Sequence, residues 1–151
     1  MKKFEHKSGD IFKSGCEAIC NAVNCVGVSG AGLALAFKKK FPKMYAEYRN
    51  FCNEGKLRPG NMHVWENDNN DPKYIINFPT KDDLSPSKLE YIIDGLVALR
   101  EVIDSKNIKT IGIPAIGSGL GGLSYNDVCP LLEEFADSLP EGVFVTLYDP
   151  H

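Results

Sequence analysis

The sequence has no apolar run approaching the roughly 18 residues that a membrane span needs. Its opening stretch, Met1-Lys2-Lys3-Phe4-Glu5-His6, lacks the apolar centre of a secretory signal. A cytoplasmic chain that engages no membrane is therefore expected. Paired C-x-x-C motifs are missing as well: Cys16, Cys20, Cys25, Cys52 and Cys129 are odd in number and unpaired in spacing. That argues against a zinc cluster and against a disulfide framework. It leaves most of the five as small buried apolar residues. His6, His63 and His151 are scattered, and no His/Asp/Glu group has ligand spacing, so neither a metal nor a cofactor is expected. Strong positive charge is also absent. A formal net charge of -3 excludes broad nucleic-acid binding through counterion release. The one basic cluster, Lys38-Lys39-Lys40 with Lys43, reads as a solvated helix end.

What is present is the composition of a soluble globular domain. A hydrophobic fraction of 43% beside 25% charged residues excludes the disordered and fibrous classes. At 151 residues, residues 1–151 are expected to form a single domain and to act as a monomer. Short β-type runs alternate with helical patterns, which predicts α/β architecture. Strands are expected over 18–23, 62–66, 74–78, 108–114 and 143–148, the second and third joined by the Asn- and Asp-rich turn 67–72. Helices are expected from Gly32 to just before Pro42, from Pro42 to about Glu54, and over Tyr125–Leu139. A long helix starting at Ser85 or Ser87 should bury Leu89, Ile92, Ile93, Leu96, Leu99 and Ile103 on one face.

Two segments place glycines between a strand and a helix: Asn24-Cys25-Val26-Gly27-Val28-Ser29-Gly30-Ala31-Gly32-Leu33 and Pro114-Ala115-Ile116-Gly117-Ser118-Gly119-Leu120-Gly121-Gly122. Backbone N–H groups free of side chains, at a helix N-terminus, make an anion cradle. Ligands of open α/β sheets gather at such strand ends. The first loop has neither the Lys-Ser/Thr of a phosphate-binding P-loop nor the spacing of a dinucleotide fingerprint. Either loop alone is compatible with a simple tight turn; the two together favour a ligand carrying a diphosphate.

Gly9-Asp10-Ile11, Asn21-Ala22-Val23-Asn24, the Gly30-Ala31-Gly32-Leu33 loop and the Gly117-to-Gly122 loop, in that order, resemble the macrodomain family over essentially the whole chain. Asn24-Cys25-Val26-Gly27, Phe41-Pro42, Pro59-Gly60, Asn77-Phe78-Pro79-Thr80-Lys81 and Gly119-Leu120-Gly121-Gly122-Leu123 are similar to its DarG-like branch, the DNA ADP-ribosylglycohydrolases. The resemblance implies a three-layer α/β/α fold on a mixed, mostly parallel sheet. Its ligand is ADP-ribose or ADP-ribosylated DNA, and a cognate ADP-ribosyltransferase toxin of the DarT type is an implied partner. By the same resemblance, Asp10 and Ile11 take the adenine, and Asn24 holds the distal ribose hydroxyls while Asn21 braces the loop. Gly30, Ala31, Gly32 and Leu33, with Ser118, Gly119, Leu120 and Gly121, hold the phosphates, and Pro79, Thr80 and Gly117 complete the implied ADP-ribose-binding set.

The resemblance also makes Lys81 the catalytic residue. A lysine beside the distal ribose can protonate the departing base, or attack C1″ of the ring-opened sugar as an amine. A related protein-deglutamylating hydrolase pairs its lysine with an aspartate in the second loop, where this sequence has Gly121, and His63 is a candidate acid–base partner by residue type alone. The leading expectation is a hydrolase that removes ADP-ribose from thymidine in DNA. The alternatives are removal of ADP-ribose from protein carboxylates, dephosphorylation of ADP-ribose-1″-phosphate, and a reader that binds ADP-ribose without chemistry.

Overall fold

In the computed structural model, residues 3–150 are described. Met1, Lys2 and His151, on which the readings of the N-terminus and the third histidine partly fell, lie outside them. In chain order the elements are β1 (Phe4–Lys7), β2 (Ala18–Val23), α1 (Gly32–Lys40), α2 (Pro42–Asn53), β3 (His63–Glu66), β4 (Tyr74–Pro79), α3 (Leu89–Lys106), β5 (Thr110–Ile113), α4 (Tyr125–Ser138) and β6 (Phe144–Tyr148). The strands form one six-stranded sheet in the order β1-β6-β5-β2-β4-β3. Every pairing is parallel except that of β3 with β4. This is the mixed, mostly parallel α/β sheet that the resemblance implied.

Parallel strands need crossovers that cover both faces, and the side-chain alternation of β2 shows both. Ala18 and Cys20 point into a core built from Ile92, Leu96, Leu99 and Ile103 of α3 and Val128, Leu132 and Phe135 of α4. Ile19 and Val23 point the other way, onto Phe37 of α1 and Met44 and Tyr48 of α2. Among the described residues no helix is long and apolar enough to cross a membrane.

Four local expectations change. The strand β1 was not foreseen, because Phe-Glu-His-Lys is short and mostly polar; it forms at the sheet edge on the parallel register that β6 offers. The long helix α3 begins at Leu89 rather than at Ser85 or Ser87, with Lys88 at its cap making no side-chain bond. Ser87 is fastened to the second glycine loop instead, its N–H donating to the Gly121 carbonyl at 2.8 Å. On the buried face of that helix Gly95 replaces Ile93, which is 49% exposed. A Cβ on Gly95 would lie 2.3 Å from the Phe78 ring, so the glycine is what lets α3 settle onto β4. The cysteines are also less buried than expected: Cys16 and Cys20 are core residues, whereas Cys25, Cys52 and Cys129 are partly exposed, and all are free thiols.

A polar row crosses the sheet on the α2 face. The register sets Asn21 beside Asn77 on one side and His63 beside Asn77 on the other. Asn21 Nδ2 donates to Asn77 Oδ1 at 3.1 Å, and Asn77 Nδ2 donates to His63 Nδ1 at 2.9 Å and to Met44 Sδ at 3.3 Å. An accepting Nδ1 leaves the proton on Nε2, which donates to Glu47 Oε1 at 3.0 Å. Asn21 therefore braces the sheet and not the loop that follows it. Burial holds the His63 imidazole below its ordinary pKa of 6.5, while the hydrogen bond and charge of Glu47 oppose it. Glu47 is its ion-pair partner among the described residues, and Asn77 and the Phe51 ring lie against it. With a depressed folded-state value, the stabilisation from neutral His63 is complete above about pH 6.5. It is lost as pH falls through the folded value, because the unfolded chain takes up the proton first. Denaturant unfolding from about pH 7.5 down to about pH 5 should show this loss in the natural chain and a shallower one in His63→Gln; equal slopes would remove His63 as the cause.

Candidate functional site

Three adjacent parallel strands, β5-β2-β4, end on the same side of the sheet, and that alignment builds the site. The loop after β2 carries Gly30–Gly32, the loop after β5 carries Gly117–Gly121, and Lys81 follows β4 after Thr80, whose N–H extends the ladder to Val23 O at 2.9 Å. β2 is also where successive crossovers change direction, to β4 on one side and then to β5 on the other, and ligand crevices open at such switch points. Here the crevice is a cleft of about 680 Å³. Asp10, Ile11, Asn24, Gly30, Ala31, Gly32, Leu33, Thr80, Lys81, Gly117, Ser118, Gly119, Leu120 and Gly121 all line it.

The first loop is shaped by Asn24. Its Nδ2 donates to Val28 O at 2.7 Å, and its Oδ1 accepts from Val26 N and Gly27 N at 3.1 Å each. The buried Tyr48 hydroxyl lies 2.7 Å from the Asn24 carbonyl oxygen and 2.9 Å from Oδ1. Burial pushes the Tyr48 phenol far up and keeps it a donor. The Asn24 amide is thus engaged in holding the loop that leads into α1. That helix starts with no side-chain cap, Ala31 standing at its N-cap. Its leading N–H groups therefore face the cleft without a protein acceptor, which with the helix dipole suits an anionic group.

The second loop turns through a short 3-10 segment, Gly119–Gly121, before α4 starts four residues later, capped by Ser124 Oγ accepting from Asn126 N at 3.2 Å. It does not feed the helix directly, as the sequence pattern suggested; its cradle is the turn itself. A Cβ on Gly121 would stand 2.7 Å from Ser87 Oγ and 3.4 Å from Ser87 Cβ. A side chain at the position that bears an aspartate in the deglutamylating relative would therefore have to displace the Ser87 hydroxyl, which has no hydrogen-bond partner here. Lys81 Nζ donates to Leu120 O of this loop at 3.3 Å. The ion pairs of the described residues all lie elsewhere. The result is an ammonium at the mouth of a cleft walled by backbone donors.

Some sequence readings are placed differently. Pro79 is the buried last residue of β4 and is not part of the cleft lining. His63 lies in the buried polar row and does not line the cleft either, which removes it as an acid–base partner of Lys81. Asp10 caps a 3-10 turn, its Oδ1 accepting from Phe12 N at 2.9 Å, while the residue still lines the cleft. Cys25, beside the first loop, is pushed up to about 12, chiefly by burial and further by Cys52 and Asp82, so it is a thiol and not a nucleophilic thiolate. The sequence reading missed Val28, Leu84, Tyr148, Asp149 and Pro150, which also line the cleft. Tyr148 ends β6 and Asp149 and Pro150 follow it; β6 pairs parallel with β5, and that adjacency was the available signal. His6, finally, is not isolated: it meets Cys129 and Glu133 in space.

Removing the Asn24 side chain should open the first loop without disturbing the sheet. In Asn24→Ala the amides of Val26 and Gly27 are expected to lose hydrogen-exchange protection, with a stability loss of about 1–3 kcal/mol. Unchanged protection at those amides would show that the loop holds itself.

Comparison with known proteins gives the same answer from another direction. The family model for the macro domain matches residues 20–132. A Mycobacterium tuberculosis protein named DNA ADP-ribosyl glycohydrolase is 43% identical over 145 residues, a match that covers 95% of this chain. The chain spans only 41% of that relative's length. The solved macrodomain of Mycobacterium tuberculosis DarG superposes with a TM-score of 0.95 at 42% identity, covering 98% of each chain. The structure of Thermosipho africanus DarTG in complex with ADP-ribose superposes with a TM-score of 0.91 at 29% identity, covering 99% of this chain and 42% of that one. The chain belongs to the macro domain family, in its DarG-like branch.

Proposed function

We propose that the chain binds ADP-ribose in the cleft and hydrolyses its glycosidic bond to thymidine in DNA, with Lys81 as the catalytic residue. One observation carries the reading: Lys81 Nζ rests against Leu120 O of the second glycine loop, so the amine and the phosphate cradle share one wall of the cleft. The names of the DarG-type relatives and the ADP-ribose in DarTG support the ligand and the bond. In this reading Asp10 and Ile11 take the adenine end. The uncapped start of α1 and the turn at Gly119–Gly121 hold the diphosphate from opposite sides. The distal ribose then lies beneath Lys81.

Cleavage develops positive charge at C1″ and negative charge on the departing thymine. A protonated Lys81 can donate to that base while water adds to C1″. Alternatively, a neutral Lys81 attacks C1″ of the ring-opened sugar, expels the base and forms an imine that water hydrolyses. Borohydride distinguishes the two, since it reduces only the imine, to a stable adduct on Lys81. Glycine at position 121, with no carboxylate on the loop that Lys81 meets, favours the DNA substrate over a protein-glutamate linkage. A net charge of -3 means that affinity for DNA comes from the ADP-ribosyl group and not from the phosphate backbone. The enzyme that supplies the substrate is an ADP-ribosyltransferase acting on DNA, the cognate toxin in this reading.

The test is a panel of ADP-ribosylated single-stranded DNA, an ADP-ribosylated glutamate peptide and ADP-ribose-1″-phosphate, with release followed by chromatography. Release from the DNA alone is expected. Lys81→Ala should slow it by about 10²–10⁴-fold while leaving ADP-ribose affinity by calorimetry nearly unchanged. Turnover by Lys81→Ala at the natural rate, or release from the peptide and not from the DNA, would overturn the reading.

A further inference from the structure

On the far side of β6 from the cleft, three side chains distant in sequence bring one nitrogen, one sulfur and one oxygen together. They are His6 of β1, Cys129 of α4 and Glu133 one turn further along the same helix, with ligand atoms all within 4.8 Å of one another. His6 Nε2 is 2.9 Å from Glu133 Oε2 and 4.0 Å from Cys129 Sγ. We propose that these three residues form a zinc-binding site with a fourth coordination position open to solvent.

The donor set suits Zn²⁺: imidazole, thiolate and carboxylate are its ordinary protein ligands, at about 2.0–2.3 Å in a tetrahedron. Such a tetrahedron sets nitrogen–oxygen and nitrogen–sulfur edges at about 3.4 and about 3.6 Å. The observed separations differ from these by about half an ångström, in opposite senses, which side-chain rotation supplies. The other ring nitrogen is already directed. His6 Nδ1 lies 2.9 Å from Asp149 Oδ1, the carboxylate–histidine arrangement that fixes which nitrogen faces a metal and raises its basicity. Helical spacing does the rest, since residues four apart lie on one face of α4. With His6 and Glu133 side chains 31% and 40% exposed, an ion reaches the site from solvent.

On binding, His6 Nε2 and the Cys129 thiol each give up a proton to solvent, and the ion takes their lone pairs. The metal then joins the edge strand β1 to α4. Through Asp149 it also connects to the segment after β6 that lines the cleft. A competing account of the same geometry is a protonated His6 held between Glu133 and Asp149, which needs neither the metal nor Cys129.

The experiment uses the full chain without an affinity tag, stripped with a chelator. Zn²⁺ is titrated in competition with a chromophoric chelator, and Co²⁺ serves as a spectroscopic probe. One equivalent of Zn²⁺ and a thiolate-to-cobalt charge-transfer band are expected. Cys129→Ser should abolish the band, Asp149→Asn should weaken binding by about 10–100-fold, and Cys52→Ser should leave both unchanged. In the unsubstituted chain Zn²⁺ should protect Cys129, and not Cys52, from alkylation as read by peptide mass spectrometry, a measurement that needs no variant to fold. No uptake, a band that survives Cys129→Ser, or unprotected Cys129 overturns the site and leaves the ion-pair account.

Discussion

The parallel pairing of β2 with β5 on one side and β4 on the other is the constraint from which the site follows. Parallel strands end together, so whatever follows β5, β2 and β4 must emerge at one edge of the sheet. Two of those exits are glycine loops and the third is Lys81. A slip of one residue in β4 would turn Asn77 away from Asn21 and His63 and reverse which side chains enter each core. The polar row protects against that slip, because Asn77 has matched partners only in the observed register. In a sheet face otherwise filled by Ile19, Val23 and Ile75, an unmatched amide costs about 1–3 kcal/mol. The row lies just below the cleft that Ala22 and Val23 line, and it fixes the height at which Lys81 leaves the sheet.

Above the strands the site is held by bonds that a ligand does not have to make. Asn24 and Tyr48 close the first loop internally, so the uncapped start of α1 is presented in place before any anion arrives. That is preorganisation: the ordering of the loop occurs on folding and not on binding. It also separates two roles that a motif comparison joins. A polar residue that recurs beside a ligand can serve by shaping the backbone around it, and the Asn24 amide makes its bonds to Val26, Gly27 and Val28.

The elements with strong period were legible in sequence: β2, α1, α2 and α4 start and end within a residue or two of their expected bounds. What escaped depended on contacts distant in sequence. Ser87 carries a good cap residue's side chain, yet its hydroxyl makes no cap bond and its N–H is fastened to Gly121 in the other loop. Ile93 fits the apolar stripe of α3, yet Gly95 faces the sheet because the Phe78 ring needs that space. β1 had too few apolar residues to show a pattern and exists because β6 offers an edge. The two glycine loops of the cleft were legible at strand ends, whereas Asp10, Asn24 and Lys81 were legible only through the family resemblance. Tyr148–Pro150 were not, since nothing in their own chemistry marks them and only the β5–β6 pairing brings them to the cleft. His6 and Cys129, 123 positions apart, are the extreme case.

Gly121 ties these lines together. Its lack of a side chain lets Ser87 approach, the Ser87 N–H fastens the second loop to the segment before α3, and an aspartate there would have to turn the Ser87 hydroxyl aside. An aspartate there would draw the ammonium into an ion pair and present an acid–base group to the distal ribose. With a glycine there, Lys81 meets only a carbonyl oxygen, which orients the amine through one hydrogen bond without neutralising its charge. In the proposed reaction such a cleft would offer its substrate one lysine and the uncapped backbone N–H groups at the start of α1. That equipment suits a leaving group which stabilises negative charge by itself, as a thymine ring does, better than one that needs a second acid.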